Sequence, residues 1–341
     1  MKISYVYFPE KEKAAFAEEE LDTNLTGSQV LVKSEYDLIS AGTELANYHD
    51  LPNTTRGMVI NHKFPRYPGY TLSGHVVKTG PEVKSLKPGD KVAMHWCGHR
   101  SWVLTEEAEL FRLPDDFDMK TAAFTHLASF PLLGVRKLQI QLGESVMVAG
   151  LGLLGLIAVQ LAKLSGGYPV LACDFSEERR QLALQLGADY ALDPREPDFI
   201  QKVCDLTDGG VNAVVEVTGY LSGLQQALEY TARFGRISIL GCTRISDQPI
   251  NVYQYIHCKG IQLIGAHTST RPEVDSYPGY WTCKDDYRTF VKLVQTGKLN
   301  VAPLYSRIES PHDAEQIYRL LGFEKNPPLG ILFDWTGIDP E

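Results

Sequence analysis

The chain has 341 residues, 33 Lys+Arg against 42 Asp+Glu, and a formal net charge of −9 at pH 7. That length suits about two domains, and 44% hydrophobic with 22% charged residues is the balance of a folded globular chain, not a disordered one. A net acidic surface argues against nucleic acid or an anionic membrane as a general partner.

From residue 1 to about 117 the pattern predicts short strands between Gly and Pro turns. Residues 29–34, 74–79 and 91–95 read as strands, and Pro68-Gly69 and Pro88-Gly89-Asp90 as turns. An irregular loop over 48–65 is expected and is long enough to cover a site. A helix is predicted over 119–135, after which strands (145–149, 169–173, 212–216, 236–240, 261–266) alternate with helices (153–164, 177–186, 200–206, 221–231). Such alternation builds a doubly wound parallel sheet covered on both faces, an α/β architecture. The tail predicts helices at 284–295 and 311–321 and a strand at 330–333. The longest apolar stretch, 146–164, is broken by glycines and Lys163 and reads as strand plus helix, not a membrane span. Cys97, Cys173, Cys204, Cys242, Cys258 and Cys283 show no Cys-x-x-Cys spacing, so neither a zinc ribbon nor a redox dithiol is indicated. Met1-Lys2-Ile3-Ser4-Tyr5 holds no apolar leader core, and a reducing cytoplasm is the expected compartment.

The sharpest local signal is Gly150-Leu151-Gly152-Leu153-Leu154-Gly155, directly after the apolar run 146–149 and opening a helical pattern. Between a strand and a helix, the first glycine makes the turn, the second admits a pyrophosphate and the third lets helix pack on strand. The helix N-terminus adds free N–H groups and partial positive charge. The next predicted strand ends at Asp174, 19 residues past Gly155. A carboxylate there accepts both hydroxyls of an adenosine ribose and repels a 2′-phosphate, which favours NAD over NADP. Phe175 follows it directly, and the nearby Arg179 would soften that preference or serve as a solvated helix charge.

With these residues, Glu216-Val217-Thr218-Gly219 and the 235–241 run ending at Gly241, the chain resembles the medium-chain dehydrogenase/reductase superfamily, most of all its alcohol, sorbitol and threonine dehydrogenase branch. Matching stretches at Pro68-Gly69, Lys87-Pro88-Gly89-Asp90, Leu186-Gly187-Ala188-Asp189 and Gly297-Lys298-Leu299 spread the resemblance over nearly the whole chain. It implies a GroES-like β-rich catalytic domain over 1–124 and 268–341 and a Rossmann NAD-binding domain over 125–267. It also implies hydride transfer between a nicotinamide and a carbon–oxygen centre. Val217, Thr218, Gly241, Cys242, Ala266 and His267 would lie along the nicotinamide half of the cofactor, and a homodimer or homotetramer would form through the sheet edge.

The chain departs from the zinc-dependent pattern at its ligand positions. Where relatives have Cys-Gly-(Ser/Thr)-Asp it has Ala41-Gly42-Thr43-Glu44, where they have Gly-His-Glu it has Gly69-Tyr70-Thr71, and His126 stands where sorbitol dehydrogenases have a glutamate ligand. One good ligand of three does not hold a catalytic zinc, so no metal is expected. His95-Trp96-Cys97-Gly98-His99 offers alternating ligands for a substitute metal, though a packed histidine is the commoner reason for such a residue.

Thr43 matches the hydroxyl that hydrogen-bonds the substrate oxygen in relatives. Ala46 replaces their relay histidine, leaving Tyr48 or His49 as other routes for the proton. His126, with an ordinary imidazole pKa of about 6.5, suits a general acid or base, and Tyr70 can hydrogen-bond the oxygen. Each also reads as a packed core residue. The Ser40–Glu44 segment is similar to the zinc-lacking bacteriochlorophyllide dehydrogenase-like subgroup. The leading expectation is an NAD-preferring, zinc-independent dehydrogenase of a secondary alcohol or ketone: a polyol, a sugar derivative or a tailoring intermediate. Thr268, Arg271, Tyr277, Tyr280 and Trp281 would line its pocket or form a dimer contact. A zinc-free quinone or enoyl reductase and a non-catalytic nucleotide-binding protein are the alternatives.

Overall fold

The computed structural model describes residues 1–54 and 63–338, so residues 55–62 of the expected loop lie outside the described residues. The chain divides into two compact units, Met1–Leu127 with Val301–Glu341, and Ala128–Asn300.

In chain order, β1 (Lys2–Tyr7) pairs antiparallel with β2 (Ala15–Glu20). Then come β3 (Gln29–Leu38), α1 (Ala41–Tyr48), β4 (Thr71–Thr79), β5 (Lys91–His95), β6 (Trp102–Glu106), β7 (Phe111–Arg112), α2 (Met119–Ala122) and α3 (Thr125–Leu138). The second unit holds β8 (Val146–Ala149), α4 (Leu153–Leu164), β9 (Val170–Cys173), α5 (Glu177–Gln185), β10 (Tyr190–Leu192), α6 (Phe199–Leu206), β11 (Val211–Glu216), α7 (Leu221–Tyr230), β12 (Thr231–Ile239), β13 (Gln262–Gly265) and α8 (Cys283–Gln295). The chain returns to the first unit with β14 (Arg307–Glu309), α9 (Ala314–Phe323) and β15 (Ile331–Asp334).

The first unit is a sheet in the order β14-β15-β3-β4-β5-β7, with β6 also on β3. Alternate residues Val30, Val32, Leu72, Val76, Val92 and Met94 turn one face into a core. The pattern ends the third strand at 34, whereas β3 runs to Leu38. The reason is burial of polar groups: Ser34 and Asp37 are enclosed, so the alternation of apolar residues stops before the interior sheet does. The 41–48 helix went unread because its Gly42 and Asn47 are weak helix formers and no side chain caps its start.

His99 sits fully buried in this unit, Nδ1 2.7 Å from Asp37 Oδ2 and Nε2 2.9 Å from Glu44 Oε2. Burial opposes its charge, yet the two carboxylates push the imidazole up to about 10. Trp335 Nε1 donates to Asp37 Oδ2 at 3.0 Å, Tyr318 OH donates to Glu44 Oε2, and the Ser40 N–H donates to Glu44 Oε1 at 2.9 Å. His99 is therefore a packed histidine. The strand alternation that would align it with His95 and Cys97 ends at His95, because Trp96 takes a left-handed φ of +55°.

The second unit is a six-stranded parallel sheet in the order β10-β9-β8-β11-β12-β13. Numbered within the unit, that is 3-2-1-4-5-6, the doubly wound dinucleotide-binding order, whose ligand site lies where the winding reverses, beyond β8 and β11. The helix α4 is buried nearly all round, as a helix in the middle of such a layer must be. Residues 268–300 pack with this unit, not with the β-rich one to which the resemblance assigns them. Arg136 Nε bonds Asp286 at 2.9 Å, Lys137 Nζ bonds Thr270 Oγ1 at 2.6 Å, and Gln160 Nε2 bonds Asn300 O at 3.0 Å.

Replacing His99 by leucine leaves two buried carboxylates facing each other without a cation. We expect a stability loss on the order of 3–5 kcal/mol, measured by thermal unfolding. The histidine's folded pKa is raised, so its contribution is full below about 6.5 and is lost as pH climbs towards about 10. Wild type should lose stability over that window more steeply than His99→Leu.

Candidate active site

In the second unit the candidate cofactor residues all follow strand ends on one edge of the parallel sheet. Gly150 follows β8, Asp174 follows β9, Val217 and Thr218 follow β11, Gly241 and Cys242 lie just past β12, and Ala266 and His267 follow β13. Gly150 adopts φ +93°, and a Cβ there would come within 3.1 Å of Thr218 N. A Cβ on Gly241 would lie 2.5 Å from Gly219 N. The loops after β8, β11 and β12 thus rest on one another, backbone to backbone.

The two other glycines of the loop differ in kind. A Cβ on Gly155 would sit 1.9 Å from Gly150 O, so the fold itself demands that glycine. A Cβ on Gly152 would meet nothing within 4 Å, and its φ of −72° suits any residue. Packing gives no reason for Gly152. An approaching pyrophosphate does, with the first N–H groups of α4, at Leu153, Leu154 and Gly155, to receive it.

Asp174 is pinned by two N–H groups, Leu151 to Oδ2 and Ser176 to Oδ1, each at 2.8 Å. A carboxylate has lone pairs beyond these two bonds, so ribose hydroxyls can still donate to it. The neighbouring cations share a second carboxylate, Asp193, and Arg180 Nη1 also donates to the Asp174 carbonyl at 2.7 Å. Arg195 Nη2 contacts Asp193 at 2.5 Å and Arg180 Nη1 lies 3.3 Å from it, and the Arg195 hydrogen bond holds that carboxyl far below its usual range. Arg195 also spreads its guanidinium over the exposed Phe175 ring, 5.3 Å from the centroid. Arg179 lies in the first turn of α5, its N–H on the Ser176 cap. The residues present fit a dinucleotide.

In the first unit Thr43 is half-buried in the first turn of α1. Tyr70 and His126 are 5% and 3% exposed. Their rings meet edge to face with centroids 5.8 Å apart, and Tyr70 stacks on Trp96 at 5.0 Å. His126 also packs against His95 at 4.9 Å and Trp96 at 5.5 Å, and the Tyr70 hydroxyl shares a short hydrogen bond with Ser40 Oγ. The structure therefore brings Tyr70 and His126 together beside the segment that carries Thr43. Neither alternative proton route belongs to this cluster: Tyr48 is a core residue whose hydroxyl donates to Glu12 O, and His49 pairs with Glu12 at the surface.

A catalytic zinc needs about three protein ligands. At the family's three positions Ala41 offers a methyl, Tyr70 a phenol bonded to Ser40, and only His126 an imidazole. That donor set does not fit a zinc.

Of the loop residues, Arg271 bonds Ser129 O at 3.2 Å and lies 3.6 Å from the buried Asp286, while Trp281 underlies Arg136 at 3.6 Å. Tyr277 and Tyr280 stack at 5.1 Å, and His267 caps the short turn that contains Thr268 through its bond from the Ser269 N–H.

The sequence marks His95 only as a candidate ligand for a substitute metal and gives Ser40, Trp96 and Glu216 no role in the site. Ser40 and Glu216 stand at the edges of motifs that were read, and that adjacency was the available signal. Trp96 is 62% exposed and bulky in a left-handed conformation, an outlier of the kind that clusters at functional sites.

Fold and site together define a dinucleotide-dependent oxidoreductase with a GroES-like and a Rossmann-type unit. Residues 37–127 match the alcohol dehydrogenase GroES-like domain family, and residues 154–284 match the zinc-binding dehydrogenase family. The L-threonine 3-dehydrogenase of Pyrococcus furiosus is 29% identical over 278 residues, covering 70% of this chain and 74% of that protein. The D-guloside 3-dehydrogenase of Escherichia coli is 28% identical over 276 residues, covering 78% and 77%. Among solved structures, a Sinorhizobium meliloti protein described as a zinc-binding dehydrogenase and bound to NADP superimposes with a TM-score of 0.81, at 20% identity over 98% of this chain and 99% of that one. The chain belongs to the medium-chain dehydrogenase/reductase superfamily and is an alcohol dehydrogenase-like oxidoreductase. Among the described residues no helix is long and apolar enough to cross a membrane.

The two loop glycines make a paired expectation. Gly152→Val should fold with an unchanged melting temperature and lose most of its NAD affinity. Gly155→Ala should lower the melting temperature itself, because its methyl has no room. Equal NAD affinity in wild type and a folded Gly152→Val variant would sink the loop assignment.

Proposed function

We propose that this chain is a zinc-independent, NAD-preferring dehydrogenase of a secondary alcohol, or in reverse a reductase of the ketone. The second unit carries the dinucleotide, and the first carries the groups that act on the alcohol oxygen. The observation that carries this reading is the packing of His126 on Tyr70, with the Tyr70 hydroxyl on Ser40 in the segment that leads into Thr43. Thr43 and Tyr70 hydrogen-bond the substrate oxygen and orient it. His126 takes the alcohol proton during oxidation and returns it during reduction. An imidazole suits this because it titrates near neutrality. The nicotinamide, when bound, supplies the hydride acceptor or donor. The zinc-binding family name describes relatives whose ligand positions this chain fills with Ala41, Tyr70 and His126, so the oxygen relies on hydrogen bonds in place of a metal.

Both relatives' names specify carbon 3, which carries a secondary hydroxyl in threonine and in a guloside. A polyol or sugar derivative is therefore the substrate class we favour. Preference for NAD rests on Asp174, whose carboxylate would face a 2′-phosphate, while the Arg180 and Arg195 guanidiniums both turn to Asp193.

Calorimetric titration should give tighter NADH than NADPH binding, and Asp174→Ala should narrow the difference. Equal affinities in the wild type would overturn the ribose assignment.

His126→Ala should lower turnover on a polyol or other secondary alcohol by on the order of 10²–10⁴ while NADH affinity stays close to wild type. Chelator treatment should leave the wild type active. One tightly held zinc per chain by elemental analysis refutes zinc independence, and normal turnover in His126→Ala refutes the acid–base role.

A further inference from the structure

Glu216 ends β11 and is fully buried, yet it plays no part in the reading above. Its Oε1 accepts the Thr218 N–H at 2.9 Å and the Thr218 hydroxyl, and the Gly219 N–H also favours its charged form. The Thr218 hydroxyl in turn accepts the Tyr220 N–H at 3.2 Å, at the start of α7. One carboxylate oxygen thus holds a turn that continues into a helix. Three glycines are fitted around that turn. A Cβ on Gly150 would press on Thr218 at 3.1 Å, one on Gly223 would strike the Thr218 hydroxyl at 2.3 Å, and one on Gly241 would strike Gly219 N at 2.5 Å. The second oxygen, Oε2, is buried with no hydrogen-bond partner.

We propose that Glu216 is a positioning residue for the nicotinamide end of the cofactor: its ionised carboxylate grips the Thr218–Gly219 turn against the Gly150 loop, and a proton taken up at Oε2 loosens that grip and lowers nucleotide affinity. The proposal rests on the cofactor placement above. Burial pushes this carboxyl up to about 7, against the opposing effect of its Thr218 bonds, so the proton is exchanged in the neutral range. The titratable groups facing it are Cys173 on β9 and Tyr230 at the end of α7. Burial holds both neutral, the thiol at about 12 and the phenol well above its usual value, so neither supplies a compensating charge. Nucleotide binding then favours the ionised form and expels the proton.

The test is the pH dependence of NADH binding, followed by fluorescence from pH 5.5 to 8.5. In wild type the Kd should rise about tenfold from pH 8 to pH 6, the limit for one proton linked at a pKa near 7. Glu216→Gln, which keeps the shape and cannot ionise, should bind at pH 8 at least about tenfold more weakly than wild type and with no slope. Calorimetry of the wild type at pH 7, in buffers of different ionisation enthalpy, should show release of about half a proton per NADH. That arm needs no variant. A flat wild-type profile, the absence of proton release, or an unchanged slope in Glu216→Gln overturns the proposal while the cofactor reading stands. Failure of the wild type to bind NADH at any pH overturns both.

Discussion

The first unit depends on one imidazolium. His99 lies between Asp37 and Glu44 with no solvent to share the charge, and removing ions from water costs several kcal/mol each unless they are paired and hydrogen-bonded. The pairing draws in four separated stretches of chain: β3 through Asp37, α1 through Glu44, α9 through Tyr318, and the end of β15 through Trp335. The N-terminal and C-terminal parts of the unit are thus fastened at a single electrostatic point. Because Glu44 belongs to the same short helix as Thr43, the fastening also fixes where that hydroxyl stands.

A second group of side chains in the unit is ordered by ring packing. A metal site is a set of charges that orders the side chains around it. Here Tyr70, Trp96, His95 and His126 form an aromatic cluster in which each ring packs on its neighbours. The order of this cluster comes from ring packing and from the Ser40–Tyr70 hydrogen bond.

Much of the second unit was legible because its signals are local. The helix at 153–164 follows from a mostly apolar run behind a glycine turn, and Asp174 stands out as an acid ending an apolar strand. The first unit was less legible because its decisive contacts span most of the chain. Asp37 and Trp335 are 298 positions apart, and Glu44 and Tyr318 are 274 apart. No periodicity in the neighbourhood of Asp37 announces that a tryptophan and a histidine will satisfy it, so the sequence pattern ends the strand at 34. Glu216 lay in plain view within a motif that was read. Its burial, and the hydroxyl it holds, become visible only when β11 is set between β8 and β12.

The contrast between Gly152 and Gly155 has a bearing on how such a chain changes over generations. Variation at Gly155 is opposed by the fold whatever the protein is used for. At Gly152 neither packing nor backbone conformation opposes a side chain, and on the proposed cofactor placement only the nucleotide does. A descendant freed from its nucleotide would keep the first glycine of this pair indefinitely only by chance, and would keep the second by necessity. Position 152 is therefore a record of use, and position 155 a record of architecture.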